Sequence, residues 1–191
     1  MWMVRAGEKG YLIEEFKKKK IIAVGWNKIK DISLIKDKEQ IKELIKEKYP
    51  EHKISQLGMA TSQFSKFVLT FSVGDYAVSY DPVNRNYLLG EITSKYEYNS
   101  DLCEFHHIHK VNWLGEVPRD KISVSSKNSL GAISTIFEIN EEVKTELINL
   151  LNNKRADKLE IEETHEAEES LKEDMISKAH EFIKDKVLVL D

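Results

Sequence analysis

The sequence contains one cysteine, Cys103, so no internal disulfide framework can form, and that usage agrees with a reducing cytoplasm. No run of about 18 apolar residues exists to cross a bilayer, and Met1-Trp2-Met3-Val4-Arg5 lacks the apolar stretch of a signal peptide. Catalytic signatures are absent as well. There is no Cys-x-x-Cys or His-Glu-x-x-His for a metal, and Gly7-Glu8-Lys9-Gly10 lacks the Lys-Ser/Thr that closes a phosphate loop. Glu91 and Lys95 are wrongly spaced for the carboxylates and lysine of a Mg²⁺ nuclease, and no nucleophile elbow occurs. The expectation is a chain with no catalytic residue, no metal site and no cofactor.

What is present is charge, unevenly placed. Charged residues make up 32% of the 191 residues, with a net charge of −4. Residues 155–191 hold 6 basic and 12 acidic side chains, leaving 23 basic and 21 acidic in residues 1–154. The acidity therefore belongs to the tail, and the preceding domain is free to present a local cationic face to phosphates.

The hydrophobic pattern divides the chain. Residues 2–6 and 21–26 read as strands around a short helix with Tyr11, Leu12, Glu15 and Phe16 at helical spacing. Helices follow at 37–49, capped by Asp37 and stopped by Pro50, and at about 54–69. Strands are expected at 76–80, 87–98 and 105–114, then 122–124. Residues 125–131 read as polar loop, and 132–139 as a strand or a helix start. Asn140 caps a helix carrying Val143, Leu147, Leu150 and Leu151. The expected organisation is an α+β domain over 1–151, an acidic linker over 152–170 and a helix over 171–191. That last stripe needs a cover, which the barrel itself, a second copy in a homodimer or, in preference to both, a following domain would supply.

Two groups of side chains invite a function. Strand alternation sets His107 and His109 on one face and His106 on the other; with too few further ligands for zinc, they are expected to line a wet groove or to be solvated. The aromatics say more. Trp2, Trp26 and Trp113 lie in or at the ends of strands, and Tyr76, Tyr80, Tyr87, Tyr96 and Tyr98 crowd the central ones. Such rings commonly fill a small barrel, but two or three could also cage an unstacked base. Trp26 is the foremost candidate, because it ends a strand beside polar Asn27 and Lys28. Asn27 or Asp81 at the cage edge would read the base, and Tyr96 joins the set. Phosphate contacts are expected from Arg5, Lys28, Arg85, Lys95, Lys110 and Arg119, with Lys17–Lys20 also available.

Several segments in order carry a resemblance: Trp2-Met3-Val4-Arg5-Ala6-Gly7-Glu8, Ile22-Ala23-Val24-Gly25-Trp26, Gly74-Asp75-Tyr76, Tyr80-Asp81-Pro82, Tyr87-Leu88-Leu89-Gly90-Glu91-Ile92, Val111-Asn112-Trp113 and Val117-Pro118-Arg119. Over about residues 1–125 the chain resembles the domain that precedes the nuclease in Mrr-type, modification-dependent restriction endonucleases. That domain is similar to the PUA-like, EVE and YTH group. The resemblance implies a small PUA-like mixed β-barrel with flanking helices, and a modified DNA duplex as partner. A methylated or hydroxymethylated base would be flipped into an aromatic pocket that includes Trp26 and, by the same likeness, Trp113 and Tyr80. A PUA-like module reading a modified RNA base is the alternative. Residues 182–191 look like the lead-in to a nuclease domain, and Mg²⁺ would belong to that domain alone.

Overall fold

The computed structural model describes residues 1–153 and residue 172. Met1–Ile148 forms one compact unit and Asn149–Asp191 a second. The linker over 152–170 and the helix over 171–191 read from the sequence lie almost wholly outside the described residues.

The first unit is a mixed α+β domain whose sheet curls into a half-barrel. Its strands are β1 (Trp2–Val4), β2 (Ile21–Val24), β3 (Tyr76–Asp81), β4 (Asn86–Ile92), β5 (Glu97–Tyr98), β6 (His107–Pro118) and β7 (Ile136–Glu138). The sheet order is β2-β6-β4-β3-β1-β7, with β5 also paired to β6. β1 runs parallel to β3 and antiparallel to β7; the remaining pairs are antiparallel. The described helices are α1 (Ile13–Lys19), α2 (Lys38–Lys48), α3 (Ile54–Ser65), α4 (Val124–Leu130) and α5 (141–153).

The expected helices form for the expected reasons. The Asp37 side chain accepts from the Glu39 N–H at 3.0 Å at the start of α2, whose Ile41 and Ile45 are buried. α3 buries Phe64 and runs into a wider π turn, Lys66–Thr70, that buries Phe67. Asn140 caps α5 through the Val143 N–H at 2.9 Å.

Three expectations change. The strand expected over 87–98 is interrupted after Ile92, because the segment from Ile92 to Glu97 opposes only Val111 to Ile108 on β6. The surplus residues bulge out, and the bulge turns Ser94 and Tyr96 toward the histidines of β6. Residues 122–124 form no strand, and 125–131 form no loop: Ser123 caps Ser126 and α4 follows. Only Ser126 and Leu130 of α4 are buried, so its sequence shows no apolar period, and Glu146 of α5 holds it by accepting from Ser123 and Ser126. The histidines are the third. His107 and His109 are fully buried, not solvated, because Phe64 and Phe67 each lie 4.7 Å edge-on to one of the rings.

Candidate functional site

Loops from both rims of the curled sheet converge on one cleft. β1 and β3 are parallel, so their carboxyl ends lie together, and the amino end of antiparallel β7 joins them. β6 runs in the same direction as β3, so the carboxyl end of β2, paired with the amino end of β6, belongs to the opposite rim, and the curl of the sheet carries its loop to the same cleft. A cleft of about 730 Å³ is lined there by Arg5–Gly10 after β1, Gly25 and Trp26 after β2, Tyr80 and Pro82 at the end of β3, Phe105 before β6, and Gly131, Ile133 and Thr135 before β7.

Two glycines make the wall after β1 possible. Gly7 has φ +76°, and a Cβ there would sit 2.2 Å from the Tyr11 ring; Gly10 has φ +74°, and its Cβ would meet the Pro82 ring at 2.7 Å. These glycines bring backbone against rings rather than cradling a phosphate. Tyr11 stands edge-on to Phe105 at 6.3 Å and donates to Glu104 at 2.8 Å, which with burial pushes its hydroxyl up to about 12.

Trp26 is half-buried and stacks on Phe64 with centroids 4.9 Å apart. Its backbone is left-handed, φ +61°, a conformation that non-glycine residues seldom adopt. Behind it, a His107 ring nitrogen lies 3.4 Å from the Trp26 carbonyl, and the other ring nitrogen bonds Tyr96 Oη at 2.8 Å. Burial lowers His107 to about 4, so its ring is neutral at pH 7. Tyr80 enters the cleft from the end of β3, leaning on the buried Tyr87 at 4.8 Å.

Of the residues expected to form a cage, the fold brings Trp26 and Tyr80 together and adds Phe105. Trp113 is held elsewhere: its Nε1 donates to the Phe16 carbonyl at 2.8 Å, and it packs against the core. Tyr96 is the interior partner of His107. Asn27 spends its amide as a clamp, donating to the Glu104 carbonyl at 2.8 Å and accepting from the His106 N–H at 3.2 Å. Trp2 is buried against Phe71.

Asp81 is corrected from base reader to structural anchor. Its carboxylate is buried, accepts from Lys17 at 2.8 Å and from both the backbone and side chain of Asn84, and so fixes the β3–β4 turn. Burial alone would raise Asp81, but those donors bring it down to about 2. The unfolded carboxyl titrates near 3.8, so the stabilisation is full above that value and disappears as pH falls toward 2. Asp81→Ala is expected to lower stability by about 2 kcal/mol at pH 7. Urea unfolding midpoints checked at pH 7 and at successively lower pH should show the gap to wild type closing.

The expected phosphate contacts are mostly engaged. Lys28 pairs with Glu51 at 3.1 Å and lies over the Tyr49 ring, Arg85 pairs with Asp120 at 2.6 Å, and Lys110 pairs with Glu97 at 3.3 Å. Arg119 bonds Tyr87, and Lys95 is exposed. Lys17 bridges Asp81 and Glu116. Arg5 lines the cleft, but its guanidinium is directed at the carbonyls of Leu130, Ala132 and Ser134. Lys9, which sequence reading passed over, is exposed on the cleft wall beside Glu8. The sequence does not single out Phe105 or Ile133 as site residues either, because its pattern takes them into a strand over 105–114 and a strand or helix start over 132–139, whereas β6 begins at His107 and β7 at Ile136. Among the described residues no cluster of His, Cys, Asp and Glu could hold a metal, and no helix is long and apolar enough to cross a membrane.

Fold and site together define a small α+β domain with an aromatic cleft lined by loops of a curled sheet. The chain belongs to the family described as a domain of unknown function, DUF8426, whose model matches residues 2–140. Comparison with curated proteins and with solved structures finds no match.

Proposed function

We propose that the domain is a PUA-like reader that receives a modified base of duplex DNA in the cleft walled by Trp26, Tyr80 and Phe105. The observation that carries this reading is their convergence: three rings from three separate strand ends, none adjacent in sequence, face one open cavity. Stacking on such rings contributes ~1–3 kcal/mol per base and tolerates different bases. Three rings can thus offset the few kcal/mol lost when a base leaves the duplex. Trp26 is the principal wall, because Phe64 backs one face and leaves the other for a ligand.

In this reading the chain binds and a nuclease domain elsewhere cuts, as in the Mrr-type enzymes it resembles, with the complex working in the cytoplasm. Phosphates outside the cleft meet Lys9 and Lys95, while the paired cations mainly hold the fold.

The test is a binding panel: duplexes carrying 5-methylcytosine, 5-hydroxymethylcytosine or N6-methyladenine, their unmodified counterparts, and matched RNA. Trp26→Ala is expected to weaken binding to the preferred modified duplex by ~1–3 kcal/mol with unfolding still cooperative. Equal affinity for modified and unmodified duplexes refutes the reading. Tighter binding to RNA moves it to an RNA target.

A further inference from the structure

Ile133 has no part in the core. It is 98% exposed, the highest value among the large hydrophobic residues described, and it lines the cleft from the five-residue connection between α4 and β7. An isolated exposed isoleucine on a loose loop would mean little. This loop is not loose. The Arg5 guanidinium reaches into it and donates to the carbonyls of Leu130, Ala132 and Ser134, while the Arg5 N–H donates to the Thr135 carbonyl at 3.0 Å. The Gln63 side chain fixes the far end by accepting from the Ile136 N–H at 2.9 Å.

Those bonds draw the carbonyls of residues 132 and 134 inward to one cation, and the side chain between them stands out into water. Ile133 is also branched at Cβ and stiff about its first torsion, so little further ordering is needed for it to enter a narrow space. Pro82 also lines the cleft, and its neighbour in sequence, Val83, is 85% exposed.

We infer that Ile133 is a wedge: it enters the base stack of the duplex at the position the extruded base vacates, and Arg5 positions it. Extruding a base leaves a gap flanked by two apolar base faces, and proteins that unstack DNA fill such gaps with aliphatic side chains. Ile133 lines the same cleft as Trp26, Tyr80 and Phe105, which suits this pairing of roles, with the base inside and the wedge beside it. The inference rests on the proposed base-binding cleft and adds to it how the duplex is held open. It also changes the role of Arg5, from a phosphate contact to the support of the loop.

Binding is measured for wild type, Ile133→Ser, Ile133→Phe and Trp26→Ala on two duplexes with the same modified base. In one the base is paired normally; in the other it faces an abasic site, so no pairing has to be broken and extrusion needs far less help from a wedge. Ile133→Ser is expected to weaken binding to the paired duplex roughly tenfold or more while changing binding to the abasic-opposed duplex by less than about threefold. Ile133→Phe, which can still fill the gap, retains binding to both. Trp26→Ala weakens both. Equal losses on the two duplexes for Ile133→Ser, or no loss on either, overturn the wedge while leaving the cleft in place. If Trp26→Ala binds both duplexes as wild type does, the cleft reading fails and the wedge fails with it.

Discussion

Phe64→Ala is expected to destabilise the domain by about 3–5 kcal/mol, the range for removing a large buried ring from a packed core. Phe64 is fully buried and has two roles at once. One face supports Trp26 at 4.9 Å, and its edge contact with His107 at 4.7 Å closes the interior behind the cleft. The void left by alanine would lie between these groups, and neither His107, bonded to Tyr96, nor Trp26, fixed in a left-handed backbone, can readily collapse into it. Urea unfolding checks the number directly. Phe64→Leu separates the roles: it fills most of the volume and should cost less stability, yet it removes the flat support under Trp26, so modified-DNA binding should fall further than stability does. A loss below about 1 kcal/mol for alanine would mean that the site is less tightly packed than described.

Acid should unfold the domain earlier than its carboxylates alone require. His107 is fully buried and burial lowers it to about 4, against 6.5 in the unfolded chain. Between those values the unfolded chain binds a proton that the folded one refuses, so stability rises with pH across the window and is lost as pH falls from 6.5 toward 4. The loss from His107 is on the order of 3 kcal/mol. His109 acts in the same direction, since burial lowers it too, while its ring nitrogens lie 2.8 Å from the Phe67 carbonyl and 3.1 Å from the Ser94 carbonyl. Chemical denaturation at pH 7.5, 6, 5 and 4 measures the slope. His107→Phe should flatten it over that range, whatever that variant's stability at neutral pH. A stability unchanged between pH 7 and 4.5 would contradict a neutral, buried imidazole.

Where the sequence could be read, local chemistry and final packing agree. Asp37 caps α2 and Pro50 follows it, and the stripe of Ile41 and Ile45 meets the core as its period requires. The strand end beside polar Asn27 and Lys28 points to Trp26, and the family resemblance to Tyr80; both line the cleft. What stayed hidden depends on pairing between distant segments. Asp81 looks like a turn aspartate with a free edge until Lys17, far away in the chain, closes on it. The alternation of β6 leaves the His107 and His109 face open to a wet reading, and only the aromatics of α3 and its π turn show that this face is covered, while Lys110 and Asn112 on the other face are exposed. Phe105 and Ile133 lie just before β6 and β7, inside stretches whose pattern extends the strands too far, so nothing marks them as loop residues.

The place of β1 has a consequence for how the molecule is made. This three-residue strand lies between β3 and β7, with Trp2 opposite Ala77 on one side and Glu138 on the other, and the Met1 carbonyl accepts from the Ile139 N–H at 2.9 Å. Its first partner leaves the ribosome some seventy residues later and its second some sixty after that. Such separations slow folding, because chain closure precedes any contact that rewards it. Until β7 emerges, a nascent chain carries an open strand edge beside an unfinished cleft wall, a surface on which chaperones or neighbouring nascent chains can pair.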